Sequence, residues 1–148
     1  MKSKMTLMLI IVFILSFSLN AVAGEIGFSN QEETKDFCNR FLTFMVEEDV
    51  EKAFDVVEDE WPFSITEIEN LESSTMKQLD SVKGRYGNIL GYELIKEELT
   101  KDTFLKYTYV MKYEKHIIRW KFIFYKPEDI WVLNSFNFDD SINKLFQE

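Results

Sequence analysis

Residues 104–125 contain two alternating runs of opposite sense about one short polar break, and few folds satisfy both runs at once. With Glu114 and Lys115 as a two-residue turn, Tyr113 faces His116, Met111 faces Ile118 and Tyr109 faces Trp120. Tyr107 then faces Phe122, and Leu105 faces Phe124. Away from the turn, every pair on this face is apolar or aromatic. The opposite face receives Lys106, Thr108, Val110, Lys112, Ile117, Arg119, Lys121 and Ile123. A slip of one residue would turn the charges inward, so the pairing is specified by which face is buried. The turn lacks Asn-Gly chemistry, which leaves its type open.

Residues 92–99 and 130–138 are also rich in aromatic and β-branched side chains, as strands are. Breaks this short join only antiparallel neighbours, so the second half reads as a four-stranded meander. A connection over residues 126–129 places Trp131 and Leu133 on the aromatic face beside Phe124 and Phe122. Ser135 and Asn137 then follow next to Trp120 and Ile118. Ile130, Val132, Phe136 and Phe138 are apolar too, so either both faces of this strand are covered or a bulge near Asn134 switches sides.

The first half has helical spacing. Ser29 and Asn30, followed by Glu32 and Glu33, offer two overlapping capping boxes. Beyond them Phe37, Cys38, Phe41, Leu42 and Met45 share one face. Asp49 opens a short second helix with Val50, Ala53, Phe54 and Val57 on its apolar side. Ser64 with Glu67 opens a third, carrying Ile65, Ile68, Leu71, Met76, Leu79 and Val82, with Gly84 as its expected stop. The expected fold class is therefore α+β: two to three N-terminal helices packed on a curved four-stranded antiparallel meander.

Lys2 and Lys4 precede an uncharged apolar run, Met5 to Leu19, and then Ala21-Val22-Ala23. A basic start, an apolar core too short to span a bilayer comfortably and small residues at −3 and −1 are the parts of a secretory signal peptide. The sequence thus predicts a leader over residues 1–23, removed after Ala23, and a single domain over residues 24–148 that is exported, periplasmic or secreted. Loss of two lysines and no acids takes the net charge from −9 to −11. That balance opposes nucleic acid and, once the leader is gone, an anionic membrane surface. Cys38 is the sole cysteine and lies within the apolar stripe, so it reads as a buried small side chain.

The order of these elements resembles the nuclear transport factor 2-like superfamily of cystatin-like α+β cones. The stretch Phe41-Leu42-Thr43-Phe44, with Glu47-Glu48-Asp49-Val50-Glu51-Lys52-Ala53, is similar to that family's first helix, acidic turn and short second helix. Asp129-Ile130-Trp131-Val132-Leu133-Asn134-Ser135-Phe136 resembles its final strand. The match covers residues 31–139 and is closest to small exported bacterial members without an assigned activity. It implies a cone with a pocket between helices and sheet, makes sheet-face dimers plausible, and implies no particular reaction.

Catalytic members of the superfamily work through Asp, His and Tyr inside the cone. Here the aromatic face offers Tyr107, Tyr109 and Tyr113, with His116 at its rim and Lys96 or Glu98 available from the first strand, but no carboxylate falls securely at its centre to act as a general base. One His and one Cys lack the spacing of a metal site. The acidic stretch Asp55, Glu58, Asp59, Glu60 lacks the alternation and central glycine of a calcium loop. No catalytic residue, metal or cofactor is assigned. The pocket candidates are Tyr107, Tyr109, Trp120, Trp131 and Ser135, whose polar atoms could orient a small amphipathic ligand, with Trp61-Pro62-Phe63 over the mouth.

Two readings follow. The leading one is an exported, non-catalytic ligand- or protein-binding domain, with a homodimer through Ile95, Val110, Ile117 and Ile123 on the outer sheet face as one form of partnership. The alternative is a small isomerase or dehydratase acting on an apolar substrate inside the cone. A carboxylate near Tyr107 or Tyr109 would favour the alternative, and an interior plugged by Trp120, Phe122 and Trp131 the first.

Overall fold

The computed structural model describes residues 26–147, so the expected leader at residues 1–23 lies outside the described residues. Asn30 opens helix α1 (Gln31–Val46) by accepting from the Glu33 N–H at 3.0 Å, and the Glu33 carboxylate accepts from the Ser29 N–H at 2.7 Å. Of the two cap registers, the one on Asn30 and Glu33 is used. The expected stripe from Phe37 to Met45 is buried, Cys38 with it. Asp49 caps α2 (Val50–Glu58), which buries Ala53, Phe54, Val56 and Val57. Ser64 and Glu67 cap each other's backbone at the start of α3 (Ile65–Tyr86).

Helix α3 departs from expectation twice. Of its apolar positions only Ile68 is fully buried; Leu71, Leu79 and Val82 are half-buried, and Ile65 and Met76 are exposed. Gly84 does not end the helix, which runs on to Tyr86 and stops at Gly87, φ 88°. Two contacts carry the helix past Gly84. Lys83 Nζ meets both Glu48 carboxylate oxygens, at 2.6 and 2.7 Å, and the Tyr86 ring packs on His116 at 4.6 Å. Gly87 takes a backbone geometry open essentially to glycine alone, so the chain can turn into the sheet there.

The sheet runs in the order β1 (Ile89–Thr100), β2 (Phe104–Tyr113), β3 (Ile117–Tyr125), β4 (Val132–Asp139), antiparallel throughout. The central pairs, Leu105 with Phe124 through Met111 with Ile118, are those that the double alternation dictates. Tyr113 N–H donates to His116 O at 2.9 Å across the turn. No left-handed residue occurs at Glu114 or Lys115. Instead Glu114 N–H and Lys115 N–H donate to the carbonyls of Asn88 and Tyr86, so the helix-to-strand passage holds the turn from outside. The β1–β2 turn does place both central residues, Lys101 and Asp102, at positive φ (52° and 51°), as a type I′ hairpin requires.

The last strand takes the bulge, between Leu133 and Ser135. Leu133 pairs with Phe124, but beyond Asn134 the register slips and Phe136 meets Phe122 while Phe138 meets Trp120. Ser135 and Asn137 therefore sit opposite Ile123 and Lys121 on the outer face, not beside Trp120 and Ile118. One unpaired residue lets Phe136 enter the core and Phe138 pack against it in place of two polar side chains. Trp131 precedes the strand and exchanges two backbone hydrogen bonds of 2.8 Å with Phe28, which ties the N-terminal segment to the sheet.

The outer face also differs from expectation. Arg119, expected to be exposed there, is 6% exposed, and Val110 is buried too. Arg119 lies across from Asp139 and grips it through two N–H···O bonds, Nε at 3.1 Å and Nη2 at 2.6 Å. Asp139 accepts as well from the Ser141 N–H at 3.0 Å, and Lys121 Nζ stands 3.2 Å away. Partial burial pushes its carboxyl pKa up. Arg119, Ser141 and Lys121 outweigh that and hold it well below the usual carboxylate range. Past this anchor a 3-10 turn, Ile142–Leu145, follows, and Lys144, Leu145 and Gln147 border a cleft with outer-face residues Thr108 and Arg119. Of the four residues expected to form a dimer patch, Ile95 alone is exposed.

The two glycines give opposite expectations. A Cβ at Gly84 meets nothing within 4 Å, so Gly84→Ala should raise stability by about 1 kcal/mol in chemical denaturation. A Cβ at Gly87 would collide with the Glu114 carboxylate at a φ that alanine avoids, so Gly87→Ala should lower it by about 1–3 kcal/mol. The reverse order would restore Gly84 as the helix stop.

Candidate functional site

The inner face of the sheet collects three of the five expected pocket residues. Tyr107 and Tyr109 come from β2 and Trp120 from β3, and all are essentially unexposed. Each is held by α1. Tyr107 O–H donates to Gln31 O at 3.0 Å and lies 3.0 Å from Thr34 Oγ1, while Tyr109 O–H donates to Asn39 Oδ1 at 3.3 Å. Tyr92 on β1 joins them, donating to Asn39 O at 3.3 Å. The phenols thus tie α1 down to the sheet. Buried phenols need a hydrogen-bond partner, and the polar edge of α1 supplies it.

Trp120 is boxed by rings. Phe41 stands 5.2 Å away from α1, Phe138 4.6 Å away on β4, and Phe122 and Phe136 stack alongside. Its indole Nε1 is buried without a hydrogen-bond partner among the described residues. Trp131 is also buried but lies at the sheet corner beside Phe28, with Lys126 Nζ 5.2 Å from its ring centre. Ser135 is on the far side of the sheet. The five expected residues therefore divide into an inner trio, a corner tryptophan and an outer serine.

Around the trio the space is occupied. Phe37, Phe41, Phe54, Phe122 and Phe124 are fully buried against one another, with edge-to-face contacts of 5.6–6.3 Å where Phe37 and Phe41 meet Phe122 and Phe124. The carboxylate opposite Tyr107 is Glu97, on the exposed edge strand and paired with Lys35 at 2.6 Å. It belongs to the rim. His116 packs on Tyr86 with a ring nitrogen 3.1 Å from Asp140 O. Burial pushes the Cys38 thiol pKa well up, which suits a packed side chain and not a nucleophile. Among the described residues no three His, Cys, Asp or Glu side chains are grouped as a metal site needs. Trp61 leans on Phe136 at 5.1 Å and Phe63 on Trp61 at 4.5 Å, so the Trp61-Pro62-Phe63 segment covers the end of the aromatic core.

Open space remains between helices and sheet in a recess of about 190 Å³ bordered by Met45, Val50, Met76, Leu79, Ile89 and Tyr113. A larger groove of about 660 Å³ runs along α1, lined by Glu33, Asp36, Arg40 and Phe44 of that helix together with Gly27, Phe28 and Glu60. Burial raises the Glu60 carboxyl pKa, and Arg40 opposes the rise. Sequence reasoning missed both this groove and the anchoring roles of Thr34 and Asn39. Polar residues flanking an apolar helical stripe look the same whether they meet water or a phenol.

Compared with known protein-family models and with curated proteins, the chain matches none.

The tyrosines supply a pH test. Burial raises the Tyr107 pKa to about 12, with Glu97 adding to it and the Thr34 hydrogen bond opposing; burial likewise raises Tyr113 to about 12 and Tyr109 further. A raised folded-state pKa means that the folded state favours the neutral phenol. The stability this contributes is complete below the ordinary tyrosine pKa near 10 and is lost as pH rises from there towards 12. Phenolate absorbance from these three should therefore appear together with loss of the near-ultraviolet circular dichroism. Ionisation of all three near pH 10 in a chain that stays folded would contradict the packing.

Proposed function

We propose that the chain is an exported, non-catalytic binding domain of the nuclear transport factor 2-like type, which engages a small ligand or a protein partner from its surface. The observation that carries this reading is the occupied interior. Trp120, Phe122 and two inner tyrosines, Tyr107 and Tyr109, fill the region where a cone enzyme would hold substrate, and the phenols of both tyrosines are already engaged with α1. A reaction inside the cone also needs a group to move a proton. Glu97 stands at the rim in an ion pair, and Cys38 is shielded as a thiol. The order of three helices before a four-stranded meander supports the family reading, and the apolar run before Ala21-Val22-Ala23 supports export.

Native mass spectrometry of protein recovered from the exported fraction tests both parts. The expected species begins at Gly24 and has no retained apolar compound. A stoichiometric apolar ligand that survives purification would overturn the occupied interior, and recovery of Met1 on membrane-bound material would overturn the leader.

A further inference from the structure

The outer face of the sheet gathers positive charge in a chain whose net charge is −9. Lys96, Thr108 and Lys121 form one cross-strand row through β1, β2 and β3. Thr108, the smallest of the three, sits between two lysines whose strands stand about 10 Å apart. Lys106 flanks the row on one side and Arg119 on the other. Lys144 from the C-terminal 3-10 turn borders the same cleft, about 260 Å³ in volume, with Ile95 and Leu145 at its apolar edge.

Carboxylates do not balance this set. Glu98 is shared between Lys96 at 3.2 Å and Lys106 at 2.7 Å, and Asp139 between Arg119 at 2.6 Å and Lys121 at 3.2 Å. Lys144 makes no ion pair among the described residues. Among the described residues, five cations thus face two carboxylates. Like charges held this close on a partly buried surface repel unless an anion joins them. The volume is that of roughly nine water molecules at about 30 Å³ each, enough for a small organic molecule and too little for a folded segment.

We propose that this cleft, between the outer sheet face and the C-terminal turn, binds a small anion bearing two or more negative charges. Its charged groups span Lys96 and Lys121 above Thr108, with Lys144 closing one side and Ile95 and Leu145 bounding the other. The proposal rests on reading the chain as a binding domain. It can fail separately, since a retained apolar ligand would defeat that reading and leave the cleft untouched.

The test titrates the purified mature protein by calorimetry with pyrophosphate, with citrate, and with acetate as the singly charged control. One-to-one saturable binding is expected for pyrophosphate or citrate and not for acetate; whichever binds identifies phosphate or carboxylate as the source of the charge. Lys144→Gln should weaken that binding roughly tenfold, as loss of one hydrogen bond to a charged group does. Lys77→Gln, an equal change of net charge on exposed α3, should leave it unchanged. Thermal unfolding without anion should be the same for both variants and the parent. Absence of saturable binding by either polyanion, equal weakening by the two variants, or equal binding of acetate would each overturn the site.

Discussion

Phe41 of α1 meets four rings at once, Phe54 at 5.9 Å, Trp120 at 5.2 Å, Phe122 at 5.6 Å and Phe136 at 5.4 Å, and the positions of the other elements follow from that contact. Phe54 brings α2 alongside α1. Trp120 and Phe122 fix the height of α1 above β3, and the phenols of Tyr107 and Tyr109 then reach its polar edge. Phe136 reaches the cluster only because β4 bulges at Asn134. Fully burying one such side chain is worth roughly 1.5–3 kcal/mol, so an extra residue in a strand is a small cost for bringing Phe136 inside and Phe138 against the core.

The same packing decides where function can reside. Aromatic rings occupy the region around Trp120, and α1 holds the hydroxyls of Tyr107 and Tyr109. The proposed binding function therefore rests on the exterior, where charge is unevenly shared. Helix α1 presents Glu33 and Asp36 along its groove, whereas the outer sheet face is lined by lysines around a buried arginine. Asp139 links the two levels of organisation. It neutralises part of the charge on Arg119 and, through the Ser141 N–H, starts the C-terminal segment that borders the cationic cleft.

Much of this architecture could be read from local pattern. The β2–β3 register was legible because two alternations had to agree, and the helix starts because Asn30, Asp49 and Ser64 leave few alternatives. Gly84 misled because a glycine marks a stop only when the chain leaves the helix there, and the Lys83–Glu48 and Tyr86–His116 contacts that prolong α3 join distant residues. The last strand showed its ambiguity openly; Ser135 fell on the wrong face because the bulge, not the alternation, set its side. Burial of Arg119 depended on Asp139, twenty residues away, and the cleft draws on three strands and the C-terminal turn. No local signal marks such an assembly, and an acid-rich composition hides it.

The central claim is that aromatic side chains occupy the interior, and the indole of Trp120 can report on it directly. In a Trp61→Phe variant the remaining tryptophans, Trp120 and Trp131, are both buried. Titration of the folded variant with a brominated alkane, which quenches indole only on contact, should leave the emission essentially unchanged until the chain unfolds. Saturable quenching at native near-ultraviolet circular dichroism would mean that an apolar molecule enters beside Trp120, and would contradict the account.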